Sequence, residues 1–202
     1  MQKSQDTLLI LGLSIIVLIA IFFLYPLLSP KPQPVLGDVH KHADFKVYLD
    51  GLGYNFTQEK YMSSNSSKLS NFVHLHDMDG GIIHQHMTTI TLGTFFRSLN
   101  MTFNSSCFVP DNGTFCNSGE KTLKMFVQHS GGQWERNSKM GDYEFIDLDR
   151  ILISYGSEND AQLAKQMESV TDRACIPSEK CPERGHPPDE NSSCNTSGPC
   201  VA

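Results

Sequence analysis

The stretch FVHLHDMDGGIIHQHM, residues 72–87, decides how the chain folds. Apolar residues and histidines alternate on both sides of an Asp/Gly-rich centre, the pattern of two short strands joined by a turn. In a strand, residues i and i+2 share a face. His74 and His76 therefore project together, and so do His84 and His86. A three-residue loop over residues 79–81, with Gly81 left-handed, sets His76 opposite His84 and His74 opposite His86. Opposed Cβ atoms lie about 4.5–5.5 Å apart, close enough for several rings to share one ion. A slip of one residue would turn the rings to the other face.

A third pair, His40 and His42, opens a strand read at residues 44–49, and completes the set if that strand lies beside the hairpin. The candidate metal ligands are thus His74, His76, His84, His86, His40 and His42. An all-nitrogen donor set outside the cytoplasm favours copper or zinc. Asp77 points off the histidine face and reads as a turn residue or an outer partner of a ligand. His129 and His186 read as surface residues. The competing reading of the rings is an ordinary binding surface.

Working outward, Asp50-Gly51 turns the first strand back on residues 53–56. Residues 91–99 carry a Thr91 cap and apolar positions 92, 95, 96 and 99, a short helix packed on a sheet. Cys107-Phe108-Val109 and Thr114-Phe115-Cys116 flank a Pro-Asp-Asn-Gly turn, a hairpin that a Cys107–Cys116 disulfide would close. Residues 123–127 form another strand, and residues 151–155, the most hydrophobic, the central one. Residues 157–170 read as a helix capped by Ser157, with Ala161, Leu163, Ala164 and Met167 on its apolar face. The expected fold class is α+β: one small, mostly antiparallel sheet with one or two helices. Residues 91–155 resemble the β-grasp pattern.

Residues 7–29, TLLILGLSIIVLIAIFFLYPLLS, hold no charge and are long enough to span a bilayer. The run exceeds the core of a signal peptide and lacks an Ala-x-Ala end, so residues 1–29 read as an uncleaved transmembrane anchor. Residues 30–39, PKPQPVLGDV, form a Pro-rich spacer. The domain follows at 40–174, then a Cys/Pro/Ser-rich tail at 175–202 that only disulfides can shape.

Six cysteines, Cys107, Cys116, Cys175, Cys181, Cys194 and Cys200, suit disulfides in an oxidising compartment, with the pairing in the tail open. Seven Asn-x-Ser/Thr sequons begin at Asn55, Asn65, Asn100, Asn104, Asn112, Asn191 and Asn195. Both features set the domain outside the cytoplasm. A net charge of −6 argues against nucleic acid as a partner. No nucleophile elbow, phosphate loop or His-Glu-x-x-His occurs, and no catalytic residue is assigned. Without Cys-x-x-Cys, thiol–disulfide exchange ranks below structural disulfides.

The runs HKHADFKVYLDG, VHLHDMDGGIIHQH, TLGTFFRSLNMTF and LDRILISYG, with CIPSEKCPERG, resemble an uncharacterised family of membrane-anchored, His-x-His-rich extracytoplasmic proteins. It occurs mainly in archaea and in uncultured, small-genome bacteria. The resemblance spans residues 38–182 and implies an anchored, extracytoplasmic domain but no particular activity. Some members carry a disulfide-isomerase label, which the cysteine spacing here does not support.

The reading is therefore a membrane-anchored extracytoplasmic protein that binds copper or zinc through hairpin histidines. The alternatives are a cell-surface interaction module and a thiol–disulfide exchange protein.

Overall fold

A computed structural model describes residues 36–63 and 69–187, and the helical residues Leu18, Ile19, Ile21 and Phe22. The rest of the expected anchor, Asn65, Asn191, Asn195, Cys194 and Cys200 lie outside the described residues. Among the described residues no helix is long and apolar enough to cross a membrane. The described residues from Leu36 to Pro187 belong to one compact unit.

The main sheet is mixed and seven-stranded. It contains β1 (Leu36–Leu49), β2 (Leu52–Gly53), β3 (Val73–His74), β4 (Ile82–Met87), β8 (Thr122–Gln128), β9 (Trp134–Arg136) and β10 (Arg150–Gly156). Its order is β3-β4-β1-β10-β8-β9, with β2 paired to β1. β1 starts at Leu36, within the stretch read as spacer. β1 and β10 run parallel, Phe45 beside Ile151 and Val47 beside Ile153. The remaining strand pairs of this sheet are antiparallel. β10 is central and buried on both faces, which accounts for its unbroken Ile-Leu-Ile run.

β5 (Thr102–Phe103), β6 (Cys107–Val109) and β7 (Phe115–Cys116) form a second, three-stranded sheet. The Cys107–Cys116 disulfide joins directly opposed residues of β6 and β7, as the hairpin reading expects.

Helix α1 (Leu92–Ser98) starts at Thr91, whose hydroxyl accepts the Thr94 N–H at 3.2 Å. Leu92, Phe95, Phe96 and Leu99 are buried, the stripe read from the sequence. They join Phe45, Phe56, Phe103 and Phe108 in an aromatic core on one face of the main sheet.

Helix α2 (Asp160–Glu168) is shorter than expected. Asn159, not Ser157, caps it: Asn159 accepts the Gln162 N–H and the Gln162 side chain accepts the Asn159 N–H. Glu158 stays outside the helix, paired with Lys124 at 3.1 Å. Leu163 and Gln166 are its buried residues, while Ala161 and Ala164 are exposed. The helix packs on β10. Just beyond it, Ser169 binds the Tyr48 hydroxyl at 2.8 Å.

The chain then returns over β1. The buried Asp44 carboxylate accepts the Thr171 hydroxyl and the N–H groups of Arg173, at 2.9 Å, and Ala174, at 2.8 Å. Burial raises the Asp44 pKa, and these hydrogen bonds oppose the rise. A Cys175–Cys181 disulfide follows, so residues 175–181 form a closed loop on the sheet face opposite the aromatic core.

Candidate metal centre

Alternation along β1 sends Ala43, Phe45 and Val47 into the aromatic core and His42 and Asp44 to the other face. β4 does the same, with Ile83 in the core and His84 opposite. Because β4 lies between β3 and β1, His84 has a histidine on each side: His74 on β3 and His42 on β1.

This register corrects the hairpin expectation. His74, not His76, faces His84, and the His86 N–H donates to the Phe72 carbonyl at 2.8 Å. The pairing is displaced by two residues, and an even displacement leaves every imidazole on its original face. The connection is longer than three residues. Asp77 and Met78, not Gly81, take the left-handed conformation, with φ of 55° and 56°. Leu75 bridges Met62, and the tip lies against the backbone of residues 56–57. A Cβ at Gly80 would fall 2.5 Å from the Phe56 carbonyl carbon, so the close approach requires glycine.

All six expected histidines meet. Taken in turn, His40, His42, His84, His76, His74 and His86 form a closed circle of rings. Neighbouring centroids are 4.6, 4.5, 3.7, 5.6 and 5.1 Å apart, and 4.7 Å closes the circle from His86 to His40. His42, His74 and His84 are buried, His76 and His86 half-buried, and His40 exposed. The tightest trio is His40, His42 and His84, with one ring nitrogen from each within 4.8 Å of the others. Donors around a tetrahedral ion bound at about 2.1 Å stand about 3.4 Å apart, so shifts of about an ångström close this trio on an ion. The trio can hold a metal ion.

Outer partners set the tautomers. His74 Nδ1 lies 2.9 Å from the Ser70 carbonyl, an acceptor only, so it carries the proton. The Ser178 hydroxyl donates to Asp147 at 2.8 Å and so accepts from His42 Nδ1 at 2.7 Å. His76 Nδ1 donates to Asp77 at 2.6 Å, and its Nε2 then accepts from His84 Nδ1 at 2.9 Å. In all four rings Nδ1 is the proton-bearing atom, so Nε2 carries the electron pair, and in His76 that pair accepts from His84. Metal-ligating histidines are oriented by this kind of partner.

Burial, and then the neighbouring histidines His76, His42, His74 and His86, hold the His84 pKa well below the ordinary imidazole range. The ring is neutral near pH 7, the form that binds a metal.

No sequence signal marks the partners that the segment before β10 and the C-terminal loop bring to His42. Asp147 accepts the His42 N–H at 2.9 Å, the Ser178 hydroxyl and the Lys180 ammonium at 2.5 Å. Burial works to raise its pKa, but Lys180, the His42 N–H and Ser178 together bring it below the usual value. Arg173 pairs with Asp79 at the hairpin tip, at 2.8 Å. The one available signal was the short spacing of Cys175 and Cys181, which marks a compact loop without saying where it docks.

His129 Nδ1 donates to buried Asp149 at 2.7 Å, apart from the circle, and His186 is exposed. Asn55, Asn100, Asn104 and Asn112 are all exposed. The Asn55 and Asn104 side chains accept backbone N–H groups of Thr57 and Ser106 in local turns. No family model, curated protein or solved structure matches the chain.

Proposed function

We propose that this chain is a membrane-anchored, extracytoplasmic protein that binds a transition metal, copper or zinc, through its circle of histidines. The observation that carries the reading is the convergence of His40, His42 and His84, one nitrogen each within 4.8 Å. In the trio, His42 Nδ1 is held by Ser178 and His84 Nδ1 by His76, and imidazoles oriented in this way suit Cu(II) and Zn(II). His74, His76 and His86 surround the trio.

Chemistry supports the compartment. Disulfides at Cys107–Cys116 and Cys175–Cys181 fit an oxidising environment. The uncharged run at residues 7–29 supplies the anchor, and the exposed sequons at Asn55, Asn100, Asn104 and Asn112 are open to glycosylation. The architecture supports a β-grasp-like reading: parallel β1 and β10 at the centre, β4 and β8 outside them, and α1 between β4 and β8 in the chain. The resemblance to the His-x-His-rich anchored family supports only the anchored, extracytoplasmic part of the reading.

The test is metal content. The full chain, without a His tag, is expressed in an oxidising compartment, purified in detergent and assayed beside a His42→Ala/His84→Ala variant. The expected result is about one copper or zinc per chain, lost in the folded variant. No metal in the wild type after dialysis against both ions would end the proposal and leave a surface interaction module.

A further inference from the structure

We propose that the ion held by these histidines keeps one coordination position for an exogenous small anion, admitted through a cavity between the hairpin tip and the disulfide loop. The inference rests on the metal reading and adds the ligand that the metal takes.

The cavity measures about 230 Å³. His76 and His84 stand in one wall, Ile176 and Pro177 of the disulfide loop in the other, with Ile82 also lining it. Since one water occupies about 30 Å³ of liquid, the cavity admits a molecule of several heavy atoms, the size of azide, bicarbonate or a short carboxylate. His76 and His84 both belong to the histidine circle, so the cavity borders it, and His84 is also one of the trio.

Charge selects the class. Imidazole ligands bind as neutral groups, so a divalent ion on them keeps its full charge. The two carboxylates lining the cavity are already engaged, Asp77 with His76 and Asp79 with Arg173. An entering anion supplies the missing charge where apolar walls lower the local dielectric and strengthen the attraction. Three protein donors with an open fourth position are the usual arrangement of a metal that works on a bound ligand.

The experiment titrates sodium azide into the copper-loaded full chain in detergent and follows the azide-to-copper charge-transfer band. The wild type should develop the band. Ile176→Trp, which fills the cavity, should keep its copper and bind azide at least about tenfold more weakly. Displacement of azide from the wild type supplies a measurement independent of that variant: formate should compete and 2-naphthoate should not, whereas a solvent-facing ion would accept both.

Copper without an azide band, unchanged azide affinity in copper-loaded Ile176→Trp, or equal competition by the two carboxylates would overturn the inference while leaving the metal reading intact. A wild type that takes up no copper would overturn the inference, and one that takes up neither copper nor zinc would overturn the metal reading as well.

Discussion

The two faces of the main sheet are built by the same strands and obey different rules. On one, β1 and β4 contribute Ala43, Phe45, Val47 and Ile83 to an aromatic core under α1 and the small sheet. On the other, the intervening residues contribute His40, His42, His84 and His86, facing a disulfide loop. The first face is held by burial of apolar area, which is strong and indifferent to ions or protons. The second is held by directed hydrogen bonds between imidazoles, Ser178, Asp147 and Asp77. The two-residue period of a strand is enough to separate stability from chemistry.

The largest effect should come from the aromatic face. Phe96 is fully buried against Phe45, Phe56, Phe95, Phe103 and Phe108. Phe96→Ala should cost about 3–5 kcal/mol in denaturant unfolding. Folded Phe96→Ala protein should still bind metal at wild-type stoichiometry, and a loss of metal there would break the separation. Next, Cys175→Ser/Cys181→Ser opens the loop over the histidines. Constraint of so short a loop contributes about 2 kcal/mol, and the unfolding midpoint should fall accordingly. Metal affinity should fall with it, whereas Cys107→Ser/Cys116→Ser, on the other sheet, should leave metal affinity unchanged.

Ser178→Ala sharpens the contrast by removing one hydroxyl from His42. Loss of such an outer partner should weaken the metal about tenfold, read by competition with a chelator. The smallest effect is the pH dependence of the metal-free protein. The folded pKa of His84 lies below its unfolded value near 6.5. Between the two values the unfolded chain binds the extra proton, so His84's stabilising contribution is present above about pH 6.5 and is lost as pH falls toward the folded value. His84→Gln should flatten that part of the stability profile in titrated unfolding experiments.

Where one element carried its own signal, the sequence was legible. Thr91 and the 92/95/96/99 stripe define α1, Cys107 and Cys116 close their hairpin, and the Ile-Leu-Ile run marks the central strand. The histidine face was legible for a similar reason: parity survives an error of two residues in register. The register itself was not, because packing of the tip on residues 56–57 and Met62 sets it, and those contacts are remote in sequence. The start of α2 was misread because Ser157 and Asn159 are both able caps, and only Asn159 has Gln162 at the reciprocal position. Asp147 and Ser178 were out of reach for the same reason as the register. Each acts on a histidine more than a hundred residues away.

The hydrogen bond between His42 and Ser178 spans 136 residues of chain. A ribosome releases His40 and His42 long before Ser178, so an emerging polypeptide carries imidazoles well before it carries the group that orients one of them. A nascent or truncated chain would therefore hold an ion loosely, and firm retention would arrive with the completed C-terminal loop. Metal occupancy in this protein would then report that synthesis and oxidation of the loop have finished, a maturation signal written into the geometry of one hydroxyl group.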